Sequence, residues 1–280
     1  MKKSKKTKNP KAVSILPTAP IQCVGTAYIG IDLHRKTFTM AAINSEGELL
    51  LLLQLDTNAD NLVAAVQAVS ADEKILTVEE ISPTRWALGV VMEHVDDAFA
   101  NDPKHNAWIA KDSNKNDAVD ALKQAKLNRL GELNPIYYEA DDDRYAFKVG
   151  IQHYHDIKAK VITSKNQIKA HLFRAGVQYP DGDQVYSSKN RAYYLGLMID
   201  GPWRSRLEFF YRYYDFLISE KKAAQHQYET YAKDKDYKEI ANMLTIDGAG
   251  TESVHTFVAT IMNPDRFDTS GQLLRSIDHR

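Results

Sequence analysis

Apolar positions cluster early in the chain as short runs that alternate with polar turns. Ala27 to Leu33 (AYIGIDL), Thr37 to Ile43 and Leu49 to Leu55 have the length and apolar content of strands, and Asn44-Ser45-Glu46-Gly47 supplies a turn between the second and third. Connections this short favour antiparallel hairpins. Asn61 to Val69 changes to helical spacing, Lys74 to Glu79 returns to a strand, and Pro83 to His94 opens with proline at a helix start. Asp97 to Asn101 reads as a short strand and Pro103 to Ala110 as a short helix. Asp117 to Asn128 (DAVDALKQAKLN) is rich in good helix formers. The order is β-β-β-α-β-α-β-α.

Beyond Pro135 the pattern changes. Asp143 to Arg174 is a long helical stretch with few breakers, Gly176 to Asp183 is a turn region, and Lys189 to Asp234 is helical again except near Asp200-Gly201-Pro202. Two such stretches predict an antiparallel pair or a coiled-coil-like spacer. The second carries Tyr193, Tyr194, Tyr211, Tyr213, Tyr214, Tyr228 and Tyr231, which suit core packing better than base stacking. A last segment runs through Asp247-Gly248-Ala249-Gly250 into a helix from Thr251 to Met262 and then Pro264-Asp265-Arg266-Phe267. Glycines at a helix start either hold a phosphate or make a tight turn.

Composition narrows the classes. The 280 residues carry a net charge of −1, so no global charge announces a nucleic-acid partner. The charge is uneven, however: residues 1–11 hold six lysines, and Arg144 to Arg174 holds seven Lys or Arg against the single acid Asp156. Such local excess is what phosphates feel. The lysine-rich start has no apolar core of a signal peptide and reads as a disordered basic tail over residues 1–24, serving solubility or nucleic-acid contact. One cysteine, Cys23, leaves no internal disulfide, and no run is long enough to span a membrane. A cytoplasmic location is the expectation.

The candidate chemistry lies in four acids. Asp32 interrupts an apolar strand, where a charge is costly unless paired or metal-bound; it is either a ligand or a strand-end turn residue. Glu79 ends the apolar run Lys74 to Val78, at the carboxyl end of a strand, where ligands bind in open α/β sheets. Glu80 follows it on the opposite side of the strand, so only one of the two can join a cluster, and Glu79 is the choice. Asp117 and Asp120 stand three apart on one helix face, and Asp117 is also a possible helix cap. Convergence of the four would hold one or two divalent cations, Mg²⁺ or Mn²⁺, for phosphodiester chemistry.

These residues carry a resemblance. Gly30-Ile31-Asp32, Val78-Glu79 and Lys115-Asn116-Asp117-Ala118-Val119-Asp120-Ala121 resemble the DEDD transposases of bacterial insertion sequences, which include Piv-type invertases and bridge-RNA-guided recombinases. The usual final motif is Lys-Thr-Asp-x-x-Asp-Ala, and Asn116 stands here for its threonine. Asn166-Gln167-Ile168-Lys169-Ala170-His171-Leu172 is similar to the family's basic helix, and Asp247-Gly248-Ala249-Gly250 to an altered Pro-Gly-Ile-Gly. The likeness covers about residues 25–275.

The resemblance implies an α/β fold: a ribonuclease H-like (RuvC-like) domain over 25–140, a helical spacer over 141–236, and the start of a C-terminal transposase domain over 237–280. It implies DNA recombination with Asp32, Glu79, Asp117 and Asp120 as catalytic metal ligands. Lys115, Lys148, Lys158, Lys160, Lys165, Lys169 and Arg174 would meet DNA, and a structured guide RNA and homo-oligomer formation are further expectations. The family's nucleophilic serine should lie well beyond Phe267; Ser270 and Ser276 come too early, so the C-terminal domain is expected to be incomplete. A catalytically silent nucleic-acid-binding or assembly protein is the rival. An actin-like ATPase, which also opens on Gly-Ile-Asp, needs Gly-rich phosphate loops that are missing from this sequence.

Overall fold

The computed structural model describes residues 11–102, 116–138, 142–180 and 184–278. The chain divides after Tyr138 into two compact units. The short helix expected over Pro103 to Ala110, and Lys115, lie outside the described residues.

The first unit is built on a mixed sheet. Its strands are β1 (Ile21–Gln22), β2 (Thr26–Leu33), β3 (Thr37–Ile43), β4 (Leu49–Asp56), β5 (Val69–Ser70), β6 (Glu73–Glu79), β7 (Asp97–Asn101) and β8 (Pro135–Ile136). Among the described residues, helices α1 (Ala59–Gln67), α2 (Thr84–Val91) and α3 (Asp117–Leu130) accompany them. Six strands pair in the order β4-β3-β2-β6-β7-β8, and β1 and β5 form a separate parallel pair. The hairpin strands β2, β3 and β4 are antiparallel, β2-β6 and β6-β7 are parallel, and β8 returns antiparallel.

Strand alternation gives the sheet two different faces. Ile29, Ile31 and Leu33 of β2 join Leu62, Ala65 and Val66 of α1 and Ala87, Leu88 and Val91 of α2 in the larger core. The opposite face carries Tyr28, Gly30 and Asp32, and α3 lies on it with Ala118, Ala121 and Ala125 against Ala41, Ile43 and Leu52. Small residues let that helix sit close. A Cβ built on Gly30 would fall 2.4 Å from both the Ala121 carbonyl oxygen and the Ala125 nitrogen.

Residues 12–24 correct the expectation of a disordered tail through residue 24. Val13 bridges to Leu53, Ile21 and Gln22 pair with Val69 and Ser70, and Cys23 is buried. The lysines of the expected tail all fall within residues 1–11, and they drew attention from the apolar residues after them that pair with the sheet.

The second unit is helical: α4 (Asp142–Arg174), α5 (Ser188–Gly196), α6 (Pro202–Asp234), α7 (Lys238–Met243), α8 (Thr251–Ile261) and α9 (Ser270–Asp278). Buried residues of α4 recur at seven-residue spacing through Phe147, Tyr154, Val161 and Ile168, the period of a coiled-coil seam. Helices α4 and α6, of 33 residues each, run antiparallel, since Asp143 meets Lys235, Tyr154 meets Tyr228, and His171 meets Trp203. Residues 237–261 do not stand apart from this pair. Ile240, Val254, Val258 and Ala259 share a core with Phe147, Ile151 and Tyr228. No helix among the described residues is long and apolar enough to cross a membrane.

Candidate metal centre

Strand register brings polar residues to one level of the sheet. Asp32 pairs with Thr39, Thr39 with Gln54, and Glu79 with Asn101. Asp32 and Glu79 each stand one residue beyond the last β2-β6 pair, Ile31 with Val78. Helix α3 begins on the same face. Asn116 is its N-cap, its side chain accepting from the Ala118 N–H at 3.0 Å, so the expected capping role of Asp117 passes to Asn116. Asp117 and Asp120 fall in the first turn, at the positive end of the helix dipole. Gly131, in the left-handed region at φ 66°, closes the helix.

Asp32 is the most enclosed of the four, with its side chain 12% exposed against 46% for Asp117. Burial pushes its carboxyl up to about 6; the charges of Asp117, Asp120 and Glu79 push the same way, and His34 opposes them. The other three expected acids therefore bear on the Asp32 carboxyl, but Glu79 and Asp120 are not part of the group whose donor atoms lie within 4.8 Å of one another. Glu79 is half-buried, whereas Glu80 is exposed and directs its backbone N–H to the Asn101 carbonyl.

The tightest grouping contains a residue outside the four expected acids. His34 Nε2 lies 3.3 Å from Asp32 Oδ2 and 3.8 Å from Asp117 Oδ1. Donor atoms of Asp32, His34 and Asp117 all fall within 4.8 Å of one another. Asp117 is held from its other side, where Gln54 Nε2 donates to Oδ2 at 3.4 Å and to Thr39 Oγ1 at 3.3 Å. Gln54 and Thr39 were legible in principle, because hairpin register carries their polarity to the level of Asp32. Asn101, fully buried, donates to Thr77 Oγ1 at 2.8 Å and ties β7 to β6 beside Glu79.

The donor set fits a dication. Among the described residues the ion-pair partner of Asp32 is His34, which is cationic only when protonated. Carboxylates gathered this closely repel one another unless a cation joins them.

Lys148, Lys158, Lys160, Lys165, Lys169 and Arg174 all lie on α4, in the second unit. Lys158 is engaged by Glu252, which also accepts from Tyr154 at 2.9 Å, and Lys165 sits 4.6 Å over the Tyr186 ring. Lys160 and Arg174 are exposed, Lys169 is half-exposed, and none of the three has an ion-pair partner among the described residues. Ser270 is the first residue of α9.

A mixed α/β unit with acids gathered on one sheet face belongs to a class that family comparison defines. The family model DEDD_Tnp_IS110, described as Transposase, matches residues 29–176, more than half of the chain. The chain belongs to this transposase family. The match takes in Asp32, Glu79, Asp117 and Asp120 together with the whole of α4. Among curated proteins, none matches the chain.

Proposed function

We propose that the chain acts on DNA by metal-dependent phosphodiester chemistry, as a transposase or site-specific recombinase whose first unit is a ribonuclease H-like domain. The observation that carries this reading is geometric: donor atoms of Asp32 and Asp117, with His34, fall within 4.8 Å of one another, and the raised Asp32 carboxyl, which feels Asp117, Asp120 and Glu79, agrees with it. The hairpin of three antiparallel strands followed by two parallel strands, in the order β4-β3-β2-β6-β7, supports the fold assignment.

In this reading Asp32, Glu79, Asp117 and Asp120 hold Mg²⁺ or Mn²⁺. A bound ion of this kind polarises a phosphoryl oxygen and lowers the pKa of an attacking hydroxyl or water. The protein supplies the geometry. Gln54 fixes one oxygen of Asp117, leaving Oδ1 toward His34 and Asp32. Close seating of α3 on Gly30 keeps the first-turn acids over the strand ends. Without a cation the clustered carboxylates turn a DNA phosphate away. Helix α4 offers phosphate contacts through Lys160, Lys169 and Arg174, for DNA or a structured guide RNA, and a homo-oligomer would bring two copies to two DNA ends.

The test is cleavage and joining of DNA carrying insertion-sequence ends, with Mg²⁺ or Mn²⁺ and any required guide RNA. Products should depend on metal and vanish in Asp32→Asn and Asp117→Asn. Cleavage that persists in both variants would reject the assignment. Metal-replete DNA binding without any cleavage would favour a silent binding protein.

A further inference from the structure

The backbone of His34 is pinned on both sides. Its N–H donates to the Thr37 carbonyl at 3.0 Å across the neck of the β2-β3 hairpin, and its carbonyl accepts from Thr57 Oγ1 at 2.8 Å. Thr57 in turn donates its own N–H to the Lys36 carbonyl at 2.9 Å. A three-residue turn held from two directions is a fixed mount for a side chain.

From that mount the imidazole reaches both acids. Two donors each about 2.1 Å from a shared ion stand about 3.0 Å apart when at right angles and about 4.2 Å apart when opposite. His34 Nε2 stands 3.3 Å from Asp32 Oδ2 and 3.8 Å from Asp117 Oδ1, inside that range. The grip of Gln54 on Asp117 Oδ2 leaves Oδ1 as the oxygen that faces His34.

We infer that His34 Nε2 is a direct ligand in a mixed nitrogen-oxygen site with Asp32 and Asp117, which takes Mn²⁺ in preference to Mg²⁺. This inference rests on the metal reading of the proposed function. Oxygen-only sites suit Mg²⁺, while an imidazole donor favours the transition ions. The opposite possibility is a protonated His34 acting as counter-charge to the acids. The two differ in sign: removing a ligand weakens Mn²⁺ binding, whereas removing a competing cation strengthens it.

The experiment uses the purified full chain with Mn²⁺ as probe, read by pulsed electron paramagnetic resonance and by competition with Mg²⁺. Wild type should bind Mn²⁺ with the ¹⁴N coupling of a directly bound imidazole. His34→Ala should lose that coupling, bind Mn²⁺ about tenfold more weakly or worse, and discriminate less against Mg²⁺. The His34 side chain is 55% exposed, so the variant leaves the core intact, and a circular-dichroism melt checks this. Mn²⁺ bound without ¹⁴N coupling, or bound more tightly by His34→Ala, overturns the His34 assignment and leaves the carboxylate site standing. Failure of wild type to bind Mn²⁺, or equal binding by Asp32→Asn, overturns the metal reading itself.

Discussion

Gly30 lies against the backbone of Ala121 so closely that a Cβ on Gly30 would stand 2.4 Å from the Ala121 carbonyl oxygen. The glycine is two residues from Asp32 on the same face of β2, and Ala121 follows Asp120 directly. One close approach thus sets the distance between the strand acid and the helix acids.

Gly30→Ala should therefore damage the site and the fold together. The obstructing atoms are backbone, so the helix as a whole must move. Overpacking of this kind costs about 1–3 kcal/mol. We expect a lower melting temperature and weaker Mn²⁺ binding, measured by calorimetry. Unchanged metal affinity in a folded Gly30→Ala protein would show that helix seating does not set the acid spacing.

The raised Asp32 carboxyl makes a pH prediction with a definite sign. Its ordinary value is 3.8 and burial holds it at about 6, so between these values the folded chain binds more protons than the unfolded one. This contribution to stability is fully present below pH 3.8 and is lost as pH rises through about 6. The loss above that point is on the order of 3 kcal/mol. Metal-free Asp32→Asn, which has no such charge to bury, should melt above wild type at pH 8, and the gap should close toward pH 5. Saturating Mn²⁺ should reverse the order at pH 8. A metal-free gap that does not vary with pH would remove Asp32 as its source.

Much of the candidate site was legible as a candidate, because apolar runs delimit the strands and leave their acids conspicuous. Asp32 and Glu79 stand out as charges at the ends of Ala27–Leu33 and Lys74–Val78, and Asp117 and Asp120 as a pair at helical spacing. His34 was not legible as a donor, because its position over Asp32 comes from the hairpin turn and its anchor at Thr57, 23 residues away. The two-residue strands β1 and β5 carry no usable periodicity, and their pairing depends on contacts across the fold. The lysines of α4 look alike in sequence, yet Glu252 and Tyr186 engage Lys158 and Lys165 and set them apart from Lys160.

Gln54 should matter through Asp117. Gln54→Leu removes the amide that holds Asp117 Oδ2 and leaves Thr39 Oγ1 without this donor. Loss of such an orienting contact typically weakens metal binding about 10- to 100-fold. Mn²⁺ titration should show a fall of that order. Gln54→Glu should behave differently, since added negative charge beside Asp117 repels the carboxylates in metal-free protein. Equal Mn²⁺ affinity in wild type and Gln54→Leu would mean that Asp117 needs no second support.

The lysines of α4 divide into two groups, and the division predicts two phenotypes. Lys160, Lys169 and Arg174 have no ion-pair partner among the described residues, so replacing all three with Ala should weaken binding to several DNA or RNA sequences alike. Each lost phosphate contact on duplex DNA should flatten the slope of log affinity against log salt by about 0.9. Lys158 instead joins Glu252 and Tyr154 in a half-exposed cluster between α4 and α8. That cluster holds the Glu252 carboxyl below its ordinary value, Lys158 being the largest cause. Lys158→Ala should thus lower stability by no more than about 1 kcal/mol and leave the salt slope nearly unchanged. Filter binding across a salt series, with a denaturant melt of each variant, separates the two effects. A salt slope that responds to Lys158→Ala as strongly as to the triple variant would place Lys158 on the nucleic acid and not inside the helical unit.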